Sequence, residues 1–258
     1  MIKSFESDCQ YIINAAHNFA VKNPDFTSDV GHIDNFPGAA VYVRDAAKIS
    51  SYLLPGSRIL DWGCGYGQLS YLLAKNGYQV DACDWSKDLK IPEFLDSGIN
   101  YFPLTSPVQI HVPDASFDVV ISSGTLEHAH NIIDSLKEIR RILKPGGWFF
   151  IFRFPAEYSI SEYIARKSGR WSHAVRMSKS ELQFMLRMFS FRVDQIGYDS
   201  FLPIFLGRQL KFLRPIREQL DTPITYLDKV LTSLPIISAF STSIYCFAQI
   251  NTEYTENF

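Results

Sequence analysis

Two acidic residues and three glycines raise the first chemical question. In the stretch RILDWGCGYGQLSYLLAKNGYQVDACDWS, residues 58 to 86, Asp61 is followed by Gly63, Gly65 and Gly67, and Asp84 closes a second apolar run. Glycines at the start of a helix let a ligand approach the backbone, where the first N–H groups have no partner within the helix. Residues 61 to 67 therefore read as a ligand loop. A dinucleotide loop spaces its glycines G-x-G-x-x-G and seats a diphosphate on the helix end. Here the third glycine comes one position early, and Asp61 would stand beside that phosphate with the wrong charge. Beside an ammonium group the same charge is favourable.

A second candidate lies at Leu126-Glu127-His128, where an apolar strand gives way to a helical pattern on the ligand edge of the sheet. An imidazole there suits a base working near neutral pH. The plainer alternative is that Glu127 and His128 cap and orient the start of the helix. A metal centre is not expected. His130 does not complete a ligand set with His128, because alternate residues of a helix do not face each other. Trp62 reads as packing beneath the loop rather than as a stacking platform.

The elements that must position these groups alternate in type. From Arg58 to about Arg153 the chain runs RILDW, YGQLSYLLAKN, YQVDACD, SKDLKIPEFLDSG, NYF, FDVVISS, NIIDSLKEIRRILK and WFFIF, with apolar runs between helical patterns. Such alternation predicts an α/β fold, a parallel sheet with helices on its faces. Ile132, Ile133, Leu136, Ile139 and Leu143 recur at helical spacing and predict the buried face of one helix, with Lys137, Glu138, Arg140, Arg141 and Lys144 outward. Lys144-Pro145-Gly146-Gly147 then turns the chain into the next strand. Ser178 with Glu181 predicts a capping box opening SELQFMLRMF, and FRVDQIGYD and STSIYCFAQI read as the last two strands. Residues 1 to 50 read as a preface of helices joined by a mobile loop.

At 258 residues, with 47% hydrophobic and 20% charged, the chain is neither disordered nor fibrous. Cys9, Cys64, Cys83 and Cys246 fall in no zinc-ligand spacing and read as reduced thiols. The start MIKSFESDCQ lacks a secretory pattern, and no apolar run reaches the length of a membrane span, so a cytoplasmic protein is expected. The net charge of −2 hides an excess of 12 Lys/Arg over 5 Asp/Glu between residues 153 and 217. That excess suits a solvated face, an anionic acceptor or an acidic lipid surface.

The order of these motifs resembles the class I S-adenosylmethionine-dependent methyltransferases, whose first motif is (D/E)-x-G-x-G-x-G. Asp84 lies 21 residues beyond Gly63, where that family places its ribose acceptor. PDASFDVVISSGTLEHAHN and LKEIRRILKPGGWFFI resemble later segments of its ubiquinone/menaquinone-type and sugar-modifying branches. The resemblance covers roughly residues 40 to 200. It implies a Rossmann-like, seven-stranded, mostly parallel sheet with an antiparallel last strand, and S-adenosyl-L-methionine as cofactor. By the same resemblance Asp61 would lie near the methionine ammonium, with Gly63, Cys64, Gly65 and Gly67 forming the loop beneath it. Asp84 and Trp85 would hold ribose and cover adenine, and Ser122, Ser123 and Gly124 would line the methionine side. The family's adenine contact falls on Ser106-Pro107, where proline has no N–H, leaving Ser106 as the replacement. Some relatives hold a divalent ion with Glu-x-x-Glu-His, but the first glutamate is Gly124 here. His128 is the expected catalytic base, and Tyr158, His173 and Arg176 are the expected acceptor contacts. His32 and Tyr42 belong to a preface that folds over the cofactor in similar enzymes.

The expected organisation is a lid at 1–50, a cofactor-binding core at 51–200, an insertion at 201–240 and a final strand at 241–258. In the insertion, Arg208, Lys211, Arg214 and Arg217 alternate with Phe201, Phe205, Leu206, Leu210 and Phe212, which suits an interfacial helix, an acceptor wall or closure of the core. The expected reaction is O-methylation of a sugar or glycolipid-type acceptor, the sugar carried on a nucleotide or lipid phosphate. The alternatives are a quinone-like or other aromatic acceptor, and a cofactor-binding sensor without transferase activity. Peripheral contact with the inner membrane surface through 201–240 fits the sugar reading, and a nucleic-acid acceptor is disfavoured by the modest net charge. The oligomeric state is open.

Overall fold

The computed structural model describes residues 2–27, 29–169, 173–201 and 221–252. Seven strands form one sheet in the order β3-β2-β1-β4-β5-β7-β6. They are β1 (Arg58–Trp62), β2 (Gln79–Asp84), β3 (Asn100–Pro103), β4 (Phe117–Ser123), β5 (Leu143–Pro155), β6 (Phe191–Asp199) and β7 (Ser243–Ile250). Strands β1 to β5 pair in parallel, while β7 inserts antiparallel between β5 and β6. This is the expected sheet, last strand included.

Helices cover both faces. On one side lie α1 (Ile2–Lys22), α2 (Phe36–Ser50) and α3 (Gln68–Lys75); on the other lie α4 (Ile132–Ile142) and α6 (Lys179–Met188). The short α5 (Ile160–Lys167) follows β5, and α7 (Asp221–Ser233) and α8 (Pro235–Ser238) precede β7. The preface is built into the core. Cys9, Ile12, Ala16, Ala39 and Ile49 are fully buried against the sheet, and Lys75 of α3 ion-pairs with Asp8 of α1. Two 3-10 turns, Pro24–Phe26 and Val30–His32, join the first two helices. Asn35 caps α2 by accepting from the Gly38 N–H at 3.1 Å.

Three expectations are corrected. SKDLKIPEFLDSG forms only a 3-10 segment, Pro92–Ser97, because Pro92 interrupts the pattern. Residues Leu126–His128 form a separate 3-10 turn, and α4 starts later, capped by Asn131. On α4 itself Ile133 is exposed and Glu138 is buried, the reverse of the predicted pattern. The reason is a clamp: Arg141 donates to Glu138 at 2.7 and 2.8 Å and to the carbonyls of Ile110 and Val112. Glu138 in turn accepts from the Ile110 N–H at 2.7 Å. A carboxylate so paired can be buried, and its service is to hold the loop after β3 against the sheet. The capping box at Ser178 and Glu181 forms as expected.

The segment 202–220, with Arg208, Lys211, Arg214 and Arg217, lies outside the described residues. Among the described residues no helix is long and apolar enough to cross a membrane.

Candidate active site

Parallel strands end together, so the C-terminal ends of β1, β2 and β4 open on one edge of the sheet, where ligands of open α/β sheets bind. A cavity of about 500 Å³ lies there, within the range of small-molecule sites. The glycine loop forms its floor. Gly63, Gly65 and Gly67 all have positive φ, at 71°, 59° and 89°. A Cβ on Gly63 would meet the Thr125 side chain at 2.3 Å, whereas one on Gly65 would meet nothing within 4 Å. Gly63 is therefore fixed by packing, and Gly65 leaves open space for a ligand. Helix α3 begins immediately beyond, so its first N–H groups face the loop.

Both loop carboxylates line the cavity. Asp61, 1% exposed, accepts from the Ser70 hydroxyl at 2.6 Å. Burial pushes it up to about 6 against the pull of that bond. Asp84 accepts from the Gly65 N–H at 2.8 Å and from the Trp85 N–H at 2.6 Å. Strand β2 thus holds the loop through the side chain expected to receive a ligand, and each carboxylate oxygen keeps a further lone pair. Trp85 lies 61% exposed on the rim. Cys64 lines the floor, and burial holds its thiol well above the ordinary value, so it offers no thiolate. Trp62 lines the cavity from below and packs into the core.

Above β4 the wall continues through Ser123, Gly124, Thr125, His128 and His130. Ser122 does not reach the cavity. It is buried, and its hydroxyl accepts from the Leu126 N–H at 3.0 Å, shaping the turn. Thr125 donates to the Gly63 carbonyl at 3.2 Å and ties that turn to the glycine loop. His128 keeps a half-exposed side chain, and burial together with His173 lowers its pKa. Glu127 is turned inward, and burial pushes it up to about 7.

The other predicted residues are placed differently. Ser106 accepts from the Gln109 N–H at 3.0 Å within its own turn, and Leu104 and Pro107 line the cavity instead. Tyr158 is 58% exposed away from the lining. His173 is outside the lining too, but its ring centroid lies 5.2 Å from that of His128. Glu162 of α5 holds His173 through both its ring, at 2.8 Å, and its backbone N–H. Arg176 donates to the His173 carbonyl. His32 and Tyr42 of the N-terminal segment both line the cavity, with their rings 6.1 Å apart.

Three features were missed from the sequence. Glu127, His128 and His173 bring one ligand atom each within 4.8 Å of one another, a grouping that could hold a cation. The contributor His173 is distant in the chain, so local spacing gave no signal. Gln68 opens α3 on the cavity wall, 5% exposed, with its Oε1 buried and without a hydrogen-bond partner. Arg153, the single cation in the strand sequence WFFIFRF, lies partly buried behind Ser123.

The family model described as a methyltransferase domain matches residues 60–151, which run from β1 into β5. The ubiquinone biosynthesis O-methyltransferase of Xanthomonas campestris is 32% identical over 166 residues, covering 59% of this chain and 68% of that protein. An S-adenosylmethionine-dependent methyltransferase from Methanosarcina mazei superposes with a TM-score of 0.54 at 18% identity, over 79% of this chain and 97% of the other. The cyclase SpnF superposes at 0.59 with 18% identity, over 84% and 83%. The chain belongs to the class I S-adenosylmethionine-dependent methyltransferases. It is an enzyme of that kind, and S-adenosyl-L-methionine is its cofactor. The fold alone would not have decided this, since a cyclase shares it.

The site suits that cofactor on its own evidence. It offers an open face over Gly65, two carboxylates for hydroxyl and ammonium donors, and a buried, unpartnered Gln68 acceptor in the same wall.

Proposed function

We propose that the enzyme methylates the hydroxyl of a phenolic, quinone-like acceptor, with His128 as the base. The observation that carries this reading is the position of His128 on the wall shared with the glycine loop. The cofactor's sulfonium supplies an already activated methyl group, so the protein's task is to align the acceptor, exclude water and remove one proton. Asp61, Gly63, Gly65, Gln68 and Asp84 would hold the cofactor. Ser123, Gly124 and Thr125 would bound the transfer end, and α1 and α2, bringing His32 and Tyr42, would serve as the lid. His128, neutral at working pH because burial lowers its pKa, would accept the hydroxyl proton.

Two observations move the preferred acceptor from sugar to phenol. Among the described residues the cavity lining holds no Lys or Arg to meet a sugar phosphate. The Xanthomonas relative is named for ubiquinone biosynthesis. The excess of basic residues between 153 and 217 supports the sugar reading. The test is transfer of labelled methyl from S-adenosylmethionine to an alkyl-substituted catechol and, in parallel, to nucleotide-linked sugars. Catechol turnover is expected, and turnover of the sugars alone would replace this reading.

A further inference from the structure

The cofactor brings a carboxylate as well as two positive groups, and a carboxylate leaving water needs a charged or multiply donating partner. Among the described residues the cavity lining holds no Lys or Arg, while Asp61 and Asp84 face inward. Two cations stand one layer behind the wall. Lys90 lies over the Tyr66 ring at 4.9 Å and is partly exposed. Arg153 is held on three sides. It donates through Nη1 to the Ser123 Oγ at 2.6 Å and through Nη2 to Asp45 of α2 at 2.5 Å. Its guanidinium also covers the Tyr42 ring at 4.3 Å. Ser123 and Tyr42 both line the cavity.

The backbone is distorted to achieve this. Arg153 sits inside β5 with φ of 59°, a conformation that L residues rarely adopt and that persists only where its surroundings enforce it. The pairing of β5 with β7 shifts register between Ile151 and Phe154. Such a bulge re-aims one side chain; here it sends a cation from the sheet toward the ligand edge. Because the guanidinium occupies a lone pair of Ser123, the serine's own proton is left to serve another acceptor, and Ser123 lines the cavity.

We infer that Arg153 is a positioning residue of the cofactor site: gripped by Asp45 of the lid helix, it fixes Ser123 as a hydrogen-bond donor to the cofactor's carboxylate. The inference rests on the cofactor assignment and is independent of the acceptor. It also couples lid to pocket, since α2 supplies both Asp45 and Tyr42.

The test is calorimetric titration with S-adenosylhomocysteine and with its decarboxylated analogue, for the wild type and for Ser123→Ala, Arg153→Met, Arg153→Lys and Lys90→Met. The loss of a charge-assisted contact predicts that Ser123→Ala weakens S-adenosylhomocysteine binding about 10-fold and that Arg153→Met, acting through Ser123, weakens it by up to about the same factor. Affinity for the analogue should stay within about twofold, and Arg153→Lys should restore part of the loss. Equal losses for both ligands would reduce Arg153 to a structural role and overturn the inference. So would unchanged binding, or a loss confined to Lys90→Met. Should Arg153→Met fail to fold, Ser123→Ala decides alone, because it leaves the Asp45–Arg153 pair intact. Failure of the wild type to bind either ligand would instead strike the cofactor assignment.

Discussion

His128, in the 3-10 turn after β4, and His173, beyond α5, place their ring centroids 5.2 Å apart. The pair ties the cavity wall to the segment that follows β5, and it adds to the effect of burial on the His128 pKa. Burial comes first and His173 second, and both disfavour the imidazolium. As the proposed base, His128 would then be neutral over a wider pH range than a free imidazole.

The pH dependence of turnover follows from that direction. A base must be neutral, so kcat should rise with pH through a midpoint below 6.5 and stay flat from about pH 7 to 8. Glu127 titrates near 7 beside it, so the profile should be recorded for the wild type and for Glu127→Gln. An ascending limb centred above about 7.5 in both proteins would contradict the assignment of His128 as the base.

Glu127 also makes a stability prediction. Its folded value of about 7 lies above the ordinary 4.5, so the folded protein holds this proton more tightly than the unfolded chain. The associated stability is present below 4.5 and is lost as pH rises through 7. Glu127→Gln cannot charge, and it should raise thermal stability at pH 8 by up to about 3 kcal/mol, with little gain at pH 5. Thermal melts at the two pH values read this directly; an equal gain or loss at both would remove the buried charge as the cause.

The glycine loop separates folding from binding. Gly63→Ala drives a methyl group into Thr125, while Gly65→Ala reaches open space at a similarly positive φ. Gly63→Ala should therefore lower the melting temperature more than Gly65→Ala, and Gly65→Ala should spend its effect on S-adenosylhomocysteine affinity. Asp84→Ala should weaken the same ligand about 10- to 100-fold. Melting curves paired with calorimetry distinguish these outcomes. Normal binding by Asp84→Ala would remove that carboxylate from the cofactor site.

With His128 as a base, a chelator should leave turnover unchanged. Glu127, His128 and His173 are nevertheless close enough to share a cation. Loss of activity in EDTA, restored by one divalent metal, would turn the same three residues into a metal centre.

Much of this was legible in the chain. The alternation from RILDW to WFFIF gave the sheet, because period and glycine placement report local backbone needs. The Ser178–Glu181 cap was equally local. What escaped depended on tertiary contact. Glu138 was expected outward by periodicity, but Arg141 and the Ile110 N–H made its burial favourable. His173 met His128 only through the placement of α5 and Glu162. Arg153 carried a faint signal as the lone cation in an apolar strand, but its aim depends on a bulge that no spacing announces. Ser106 failed because its hydroxyl was taken by its own turn.

The measurement that bears most directly on the proposed chemistry compares wild type and His128→Gln in labelled methyl transfer to an alkyl-substituted catechol, with S-adenosylhomocysteine affinity measured alongside. The expected result is catechol turnover by the wild type, slower by about 100-fold or more in His128→Gln, with cofactor affinity unchanged. Equal rates in the two proteins, or a loss of rate that merely follows a loss of cofactor binding, would contradict it.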